Sequence, residues 1–189
     1  MTDTELKTET EEKILDAALK IFARKGYDAA TTRAIAEESG FTEMTLFRKF
    51  GTKKNLFEQV MLRGNLQIEK DASQLFLPRD NLTSREFIKT FIKRLDNFVL
   101  RNFEYFHLTI VEDSSTIKPN VRTTINYISK YFKEQFPDRD LDYTAFGYSM
   151  STFIYSLNID RYYGRTSTFK DFDESLDKLV DIFECMLEN

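Results

Sequence analysis

The chain has 189 residues, of which 41% are hydrophobic and 31% charged, and its formal net charge is −4. This length and composition can bury a normal core in one or two small domains. A single cysteine excludes an intrachain disulfide, and a single histidine removes most metal sites and the usual nucleophile–base pairs, so we expect no metal site, no cofactor and no enzymatic role.

No membrane or export signal is expected. The first ten residues contain no apolar run, and no later stretch approaches the roughly 20 apolar residues that a membrane span needs. The sequence therefore predicts a cytoplasmic protein without a membrane partner.

Two short helices are predicted before residue 41. Ile14, Ala18 and Phe22 form one apolar stripe, and Gly26 is predicted to end their helix. A second helix is predicted to begin after a threonine pair and to end at Gly40.

A third short helix follows directly and ends in basic residues. Its predicted N-cap is Thr42, while Leu46 and Phe50 are predicted to face a core. The side chains predicted to point outward are Glu43, Thr45, Arg48 and Lys49. A helix joined to its predecessor by about three residues crosses it sharply, as in a helix-turn-helix. The alternative is a surface helix with a solvated basic end.

The negative net charge of the whole chain argues against a nucleic-acid partner. The distribution of basic and acidic residues along the chain does not. The segment up to Asn65 has eleven basic and eleven acidic residues, and the rest of the chain has 16 and 20. Four basic residues and no acidic residue lie between positions 48 and 54. We therefore expect a positive field on one face of the N-terminal segment.

From about Ile14 to Phe57, about a quarter of the chain, the sequence resembles the N-terminal domain of the TetR family of bacterial one-component transcriptional regulators. The matching pieces are Thr31-Thr32, Ile35-Ala36, Gly40-Phe41-Thr42, Thr45-Leu46-Phe47, Phe50 and Lys53-Lys54-Asn55-Leu56. The resemblance implies a helix-turn-helix DNA-binding domain at residues 1–56. A larger helical effector-binding and dimerisation domain would follow at residues 57–189. It also implies a homodimer on a double-stranded DNA operator.

By the same resemblance, one set of residues faces DNA: Thr32, Arg33, Thr42, Glu43, Met44, Thr45, Phe47, Arg48, Lys49 and Lys53. The sequence departs from the family pattern at three places. Met44 replaces a small residue, and Phe47 replaces a tyrosine that reaches a phosphate. Arg48-Lys49 replaces an aromatic pair, so the base preference of a relative does not carry over.

The rest of the chain is predicted to be helical, which makes the fold all-α. Three prolines fall between apolar-periodic segments, and Thr83 with Glu86 fits a capping box that opens a fifth helix. A fourth helix, capped by Thr52, is predicted to run from about residue 53 to 76 across the domain boundary. An eighth helix is predicted at residues 141–163, and Thr168 and Asp171 are predicted to cap a ninth.

The last two helices are candidates for a dimer interface, and the TetR resemblance implies a four-helix bundle from two chains. The ninth helix carries an apolar stripe that has too few evident partners in so small a chain. Its predicted interface residues are Leu176, Leu179, Val180, Phe183 and Leu187.

An effector pocket is predicted from the aromatic residues of the second domain. Thirteen of eighteen phenylalanines lie beyond Asn65, and apolar walls with a few polar groups are typical of small-molecule sites. The predicted lining residues are Phe91, Phe98, Tyr105, Phe106, His107, Tyr127, Tyr131, Phe146 and Phe153. A densely packed core is the alternative interpretation.

The leading hypothesis is a ligand-responsive homodimeric repressor on a palindromic operator, released by a small apolar or aromatic effector. Activation instead of repression stays open. The second hypothesis is a helical protein-interaction module whose basic N-terminal face binds an acidic partner.

Overall fold

The computed structural model describes residues 3–78, 81–112, 120–165 and 172–188. In these ranges all regular secondary structure is helical, which confirms the predicted all-α fold. The helices are α1 Asp3–Ala29, α2 Thr32–Ser39, α3 Glu43–Phe50, α4 Lys53–Ala72, α5 Ser84–Arg101, α6 Phe103–Val111, α7 Asn120–Gln135, α8 Tyr143–Tyr162 and α9 Phe172–Glu188. No helix within the described ranges combines the length and apolarity needed to cross a bilayer. The predicted caps Thr168 and Asp171 lie outside these ranges.

The chain packs as two compact units, and the first comprises Met1–Glu69 and Glu104–Lys118. Its core contains the predicted stripe of Ile14, Ala18 and Phe22, each with no exposed surface. The Phe22 ring meets the edge of Phe57 at 5.1 Å between centroids. The functional boundary predicted at residue 56 stays a prediction, although residues 57–69 pack with this first unit.

The α1 helix is kinked at Gly26, the residue predicted to end it. Gly26 has φ 75° and ψ 167°, and the backbone turns there before a last helical turn. The Tyr27 N–H donates to the Glu112 carboxylate at 2.5 Å. A Cβ at Gly26 would lie 2.9 Å from Oε1 of Glu112. The positive φ at the kink therefore favours glycine, and a side chain there would also displace the Glu112 carboxylate that accepts from Tyr27.

Gly64 is the point of close approach between α4 and α6 within the first unit. A Cβ there would lie 2.1 Å from the Tyr105 ring, which is 2% exposed. The Tyr105 hydroxyl donates to Oδ1 of Asn65 at 2.5 Å. A glycine inside a helix costs about 1 kcal/mol in helix propensity relative to alanine, but at Gly64 the structure gives the missing side chain a packing role.

Gly64→Ala should destabilise the protein, although alanine is the better helix former. Overpacking costs about 1–3 kcal/mol, which exceeds the gain in propensity of about 1 kcal/mol. Urea denaturation measures this change. In a Tyr105→Ala background the same substitution should become neutral or stabilising. A stabilised Gly64→Ala single variant would contradict the packing role.

The second unit comprises Lys70–Phe103 and Pro119–Asn189. Helix α5 opens with the predicted capping box, because Thr83 accepts from the Glu86 N–H and Glu86 accepts from the Thr83 N–H. Helices α8 and α9 both pack on α5, and α7 packs on α8. Ion pairs between side chains of these helices add to these contacts. Arg161 reaches both carboxylate oxygens of Asp96 at 2.8 and 3.0 Å, and Lys89 reaches Asp177 at 2.5 Å.

The predicted dimer-interface stripe on α9 requires a correction. Its members are at most 6% exposed within a single chain: Leu176, Leu179, Val180, Phe183 and Leu187. The stripe packs on α5, and the Phe183 ring meets Phe146 at 5.0 Å. The premise that it lacked partners is wrong, because α5 supplies a second apolar stripe about 90 residues earlier. Large apolar side chains that are exposed in the described part of these helices include Tyr148, at 60%, and Ile182, at 59%.

Candidate nucleic-acid interface and cavities

Two short helices and a glycine turn build the candidate nucleic-acid interface. Thr31 caps α2 by accepting from the Ala34 N–H, and Gly40 ends it in the left-handed conformation at φ 75°. Thr42 then caps α3 by accepting from the Thr45 N–H at 3.2 Å. Both caps agree with the sequence prediction. Because only three residues separate the helices, the orientation of α3 is fixed locally.

The exposed face of α3 carries apolar side chains as well as polar ones. Leu46 and Phe50 are buried beneath it, as predicted, whereas Met44 is 77% and Phe47 46% exposed. Exposed apolar groups on a short helix are suited to the C5-methyl of thymine in a major groove. Glu43 accepts a hydrogen bond from the Thr32 hydroxyl at 2.6 Å, which ties the first turn of α3 to α2.

The basic residues of this region differ in availability. Lys49 is only 10% exposed at its side chain and binds Glu11 of α1 at 2.9 Å, so its predicted outward orientation is wrong. Lys53 donates to the Asp28 carbonyl at 3.2 Å and lies over the Tyr27 ring. Arg33 pairs with Glu37 at 3.0 Å, and this hydrogen bond raises the pKa of Arg33.

Arg48 is the exception on α3. Arg48 is exposed to solvent. Within the ranges that the structure describes, it makes no hydrogen bond or ion pair. The sequence groups Arg48 with three lysines as one basic cluster. In the structure, however, Lys49 and Lys53 bind acceptors on α1 that lie more than 20 residues earlier in the chain. Of the two basic residues on α3, Arg48 is therefore the one that the described structure leaves exposed and without an acidic partner.

The match to known families falls on the same segment. Residues 14–60 match the family model for bacterial regulatory proteins, tetR family. Over this segment, the chain is similar to the N-terminal DNA-binding domain of TetR-family regulators. The chain is 44% identical over 52 residues to the HTH-type transcriptional regulator YvkB of Bacillus subtilis, which is 28% of either chain. It is 40% identical over 50 residues to the HTH-type transcriptional repressor AcnR of Corynebacterium glutamicum, 26% of this chain and 27% of AcnR.

These sequence matches span little more than a quarter of the relatives' length. Similarity to solved structures, by contrast, extends over nearly the whole chain. The crystal structure of AibR in complex with isovaleryl coenzyme A and operator DNA has a TM-score of 0.65 and 18% identity. The similarity covers 92% of this chain and 97% of that one. A TetR-like transcriptional regulator from Rhodococcus sp. RHA1 has a TM-score of 0.66 and 16% identity over 95% of this chain and 93% of its own, so the TetR-like fold includes the larger helical domain as well as the N-terminal one.

The residues predicted to line one effector pocket fall in both units. Tyr105, Phe106 and His107 lie on α6 of the first unit and are buried, and burial lowers the pKa of His107. The remaining six lie in the second unit: Phe91, Phe98, Tyr127, Tyr131, Phe146 and Phe153. Their grouping around one ligand stays a prediction.

Much of the aromatic content of the second unit is packed ring against ring. Phe132 lies 4.9 Å from Phe91 and 4.8 Å from Phe146, between ring centroids, and all three side chains are at most 1% exposed. Phe91 also stacks on Tyr131 at 5.5 Å. This arrangement favours the dense-core interpretation for Phe91 and Phe146.

The described residues of the second unit line two open cavities that bear on this prediction. The first, of about 390 Å³, is lined by Phe76, Pro78, Tyr127, Lys130, Tyr131, Glu134 and Gln135. The second, of about 280 Å³, is lined by Asp71, Gln74, Leu75, Leu77, Arg94, Asn97, Phe98 and Arg101. Three predicted effector residues therefore do line cavities, namely Tyr127, Tyr131 and Phe98. Sequence reasoning missed the arginines, although their spacing along α5 was visible.

Proposed function

We propose that the protein is a DNA-binding transcriptional regulator, a ligand-responsive repressor that binds a near-palindromic operator as a homodimer. The observation that carries the proposal is the α2–turn–α3 unit, with capped helices and an exposed Arg48 on the second of them. A two-fold dimer would set its two α3 helices about 34–36 Å apart, one turn of the DNA groove.

The regulatory part of the proposal is that a small, largely apolar or aromatic effector releases the operator. Open cavities in the second unit support it, and AibR has been crystallised with both a coenzyme A thioester and operator DNA. Because coupling is reciprocal, effector and operator must weaken each other's binding by the same factor.

Dimerisation is proposed through the exposed rather than the buried faces of α8 and α9. Tyr148 of α8 and Ile182 of α9 are large apolar side chains left in solvent, and Cys185 is exposed one turn after Ile182. The stripe from Leu176 to Leu187 would instead support this surface from behind.

The experiment that tests DNA binding is retention of fragments from the protein's own genomic neighbourhood. Sequence-specific retention that weakens with rising salt supports the proposal, because phosphate contacts release counterions. Retention of no fragment, together with binding to acidic proteins through the same basic residues, would favour an interaction module instead.

Arg48→Ala should relax base discrimination at the operator by about 1–3 kcal/mol for each base that Arg48 contacts. Lys53→Ala should weaken all sequences alike and reduce the salt slope by about one per monomer. Operator titrations at several salt concentrations measure both effects. Lys133→Ala, an exposed lysine of α7, is the matched control and should change neither. Unchanged discrimination and salt slope in both variants would contradict the assigned surface.

A further inference from the structure

The smaller cavity of the second unit joins a charged rim to an apolar floor. Helix α5 contributes Arg94, Asn97, Phe98 and Arg101, whose i, i+3, i+4, i+7 spacing places them on one helix face. Its floor includes Leu75 and Phe98, which are 1% and 5% exposed. The cavity is therefore amphipathic, unlike the filled aromatic core.

Its two arginines lack carboxylate partners of the kind that Arg85 and Lys89 have on the same helix. Arg85 pairs with Asp181 and Glu184, and Lys89 pairs with Asp177. Neither Arg94 nor Arg101 makes a hydrogen bond or ion pair in the part of the chain that the structure describes. Among the described residues, the two guanidinium groups at this cavity thus have no paired carboxylate.

One acidic residue also lines the cavity and must be weighed against them. Asp71 accepts a hydrogen bond from the side-chain amide of Asn102 at 3.0 Å, so its carboxylate is partly engaged. Two guanidinium groups and one carboxylate leave the lining with a net charge of +1. Guanidinium groups bind carboxylates and phosphates through paired, charge-assisted hydrogen bonds.

We propose that this cavity binds an amphipathic anion, a carboxylate or phosphate monoester with an apolar chain, through Arg94 and Arg101. The apolar part contacts Leu75 and Phe98. A volume of about 280 Å³ lies near the lower end of the range for small-molecule sites, which suits an anionic group on a short apolar chain. The proposal rests on the proposed function in one respect, because it makes this anion the effector.

Isothermal titration of the full-length protein with octanoate, octyl phosphate, octanol and acetate tests the site. At least one of the two amphipathic anions should bind, and the tighter of them identifies the head group. Octanol and acetate should bind at least about tenfold more weakly, since each lacks one half of the recognition. Equal binding of octanol, or no binding of either anion with a Kd below about 1 mM, would overturn the proposal.

Variants separate the cavity from unspecific charge effects. Arg94→Gln and Arg101→Gln should each weaken anion binding at least about tenfold. Arg101→Lys keeps the positive charge but loses the paired N–H groups of the guanidinium, so its anion affinity should lie between those of the native protein and Arg101→Gln. Lys133→Gln removes one positive charge from α7 outside the cavity and should leave binding unchanged. Thermal melts establish that each variant is folded. Anion affinity that survives both glutamine substitutions in folded protein would overturn the site.

The regulatory role has its own readout. Octanoate or octyl phosphate should lower the operator affinity of the native chain, and Arg101→Gln should retain the operator at the same ligand concentration. An anion that binds the cavity but leaves operator affinity unchanged would refute its role as effector. If the protein binds no DNA fragment specifically, the proposed function is refuted. The titrations with anions still test the cavity, because they do not depend on DNA binding.

Discussion

Phe183→Asp should unfold the second unit. The Phe183 side chain is 3% exposed and packs edge to face against Phe146 beneath α5, so aspartate there leaves a cavity and buries an unpaired carboxylate. The loss should exceed about 5 kcal/mol, which is comparable to the whole stability of a typical domain. Circular dichroism and urea denaturation measure it.

The neighbouring residue supplies a matched control. Ile182 precedes Phe183 on α9 and is 59% exposed, so Ile182→Asp should retain the helical signal and a cooperative melt. A folded Phe183→Asp variant, whether monomeric or dimeric, would show that the stripe does not belong to the core of a single chain.

Tyr148→Asp combined with Ile182→Asp should yield a folded monomer with greatly reduced operator affinity. Each substitution places a charge on a surface proposed to be apolar and self-complementary. Losing the second DNA-binding head removes an avidity of about 10²–10⁴. Analytical ultracentrifugation measures the mass, and operator titration measures the affinity.

Leu100→Asp is the control for the dimer prediction. Leu100 of α5 is 48% exposed, so the same chemical change is made outside the proposed interface, and this variant should remain a dimer. A double variant of Tyr148 and Ile182 that stays dimeric and binds the operator fully would place the interface elsewhere.

Features held together by local hydrogen bonds were predictable from the sequence. The Thr42 cap joins residues three apart, as does the Thr83–Glu86 capping box, and Gly40 needs only its own φ. The core stripe of α1 follows in the same way, because helical periodicity alone selects the buried face.

Features that depend on distant partners were not predictable. Lys49 lies next to basic residues in sequence, but its ammonium binds Glu11, 38 residues earlier. The α9 stripe could have been buried by a second chain or by its own, and only the position of α5 decides between them. The same applies to the aromatic residues, since a surplus of phenylalanine fits either a cavity or stacked rings.

The bond between Tyr27 and Glu112 has a consequence for the order in which the protein is made. The first unit, which contains the helices proposed to bind DNA, depends on a hydrogen bond between residues 85 positions apart, and the packing of Tyr105 against Gly64 is a second contact between distant segments. A ribosome that has released about the first 70 residues has therefore released α1, α2 and α3, but not the α6 segment that completes the packing of the first unit. Nascent chains should gain this unit's native protease resistance only after residue 112 has emerged, which delays the competent DNA-binding form until most of the chain exists.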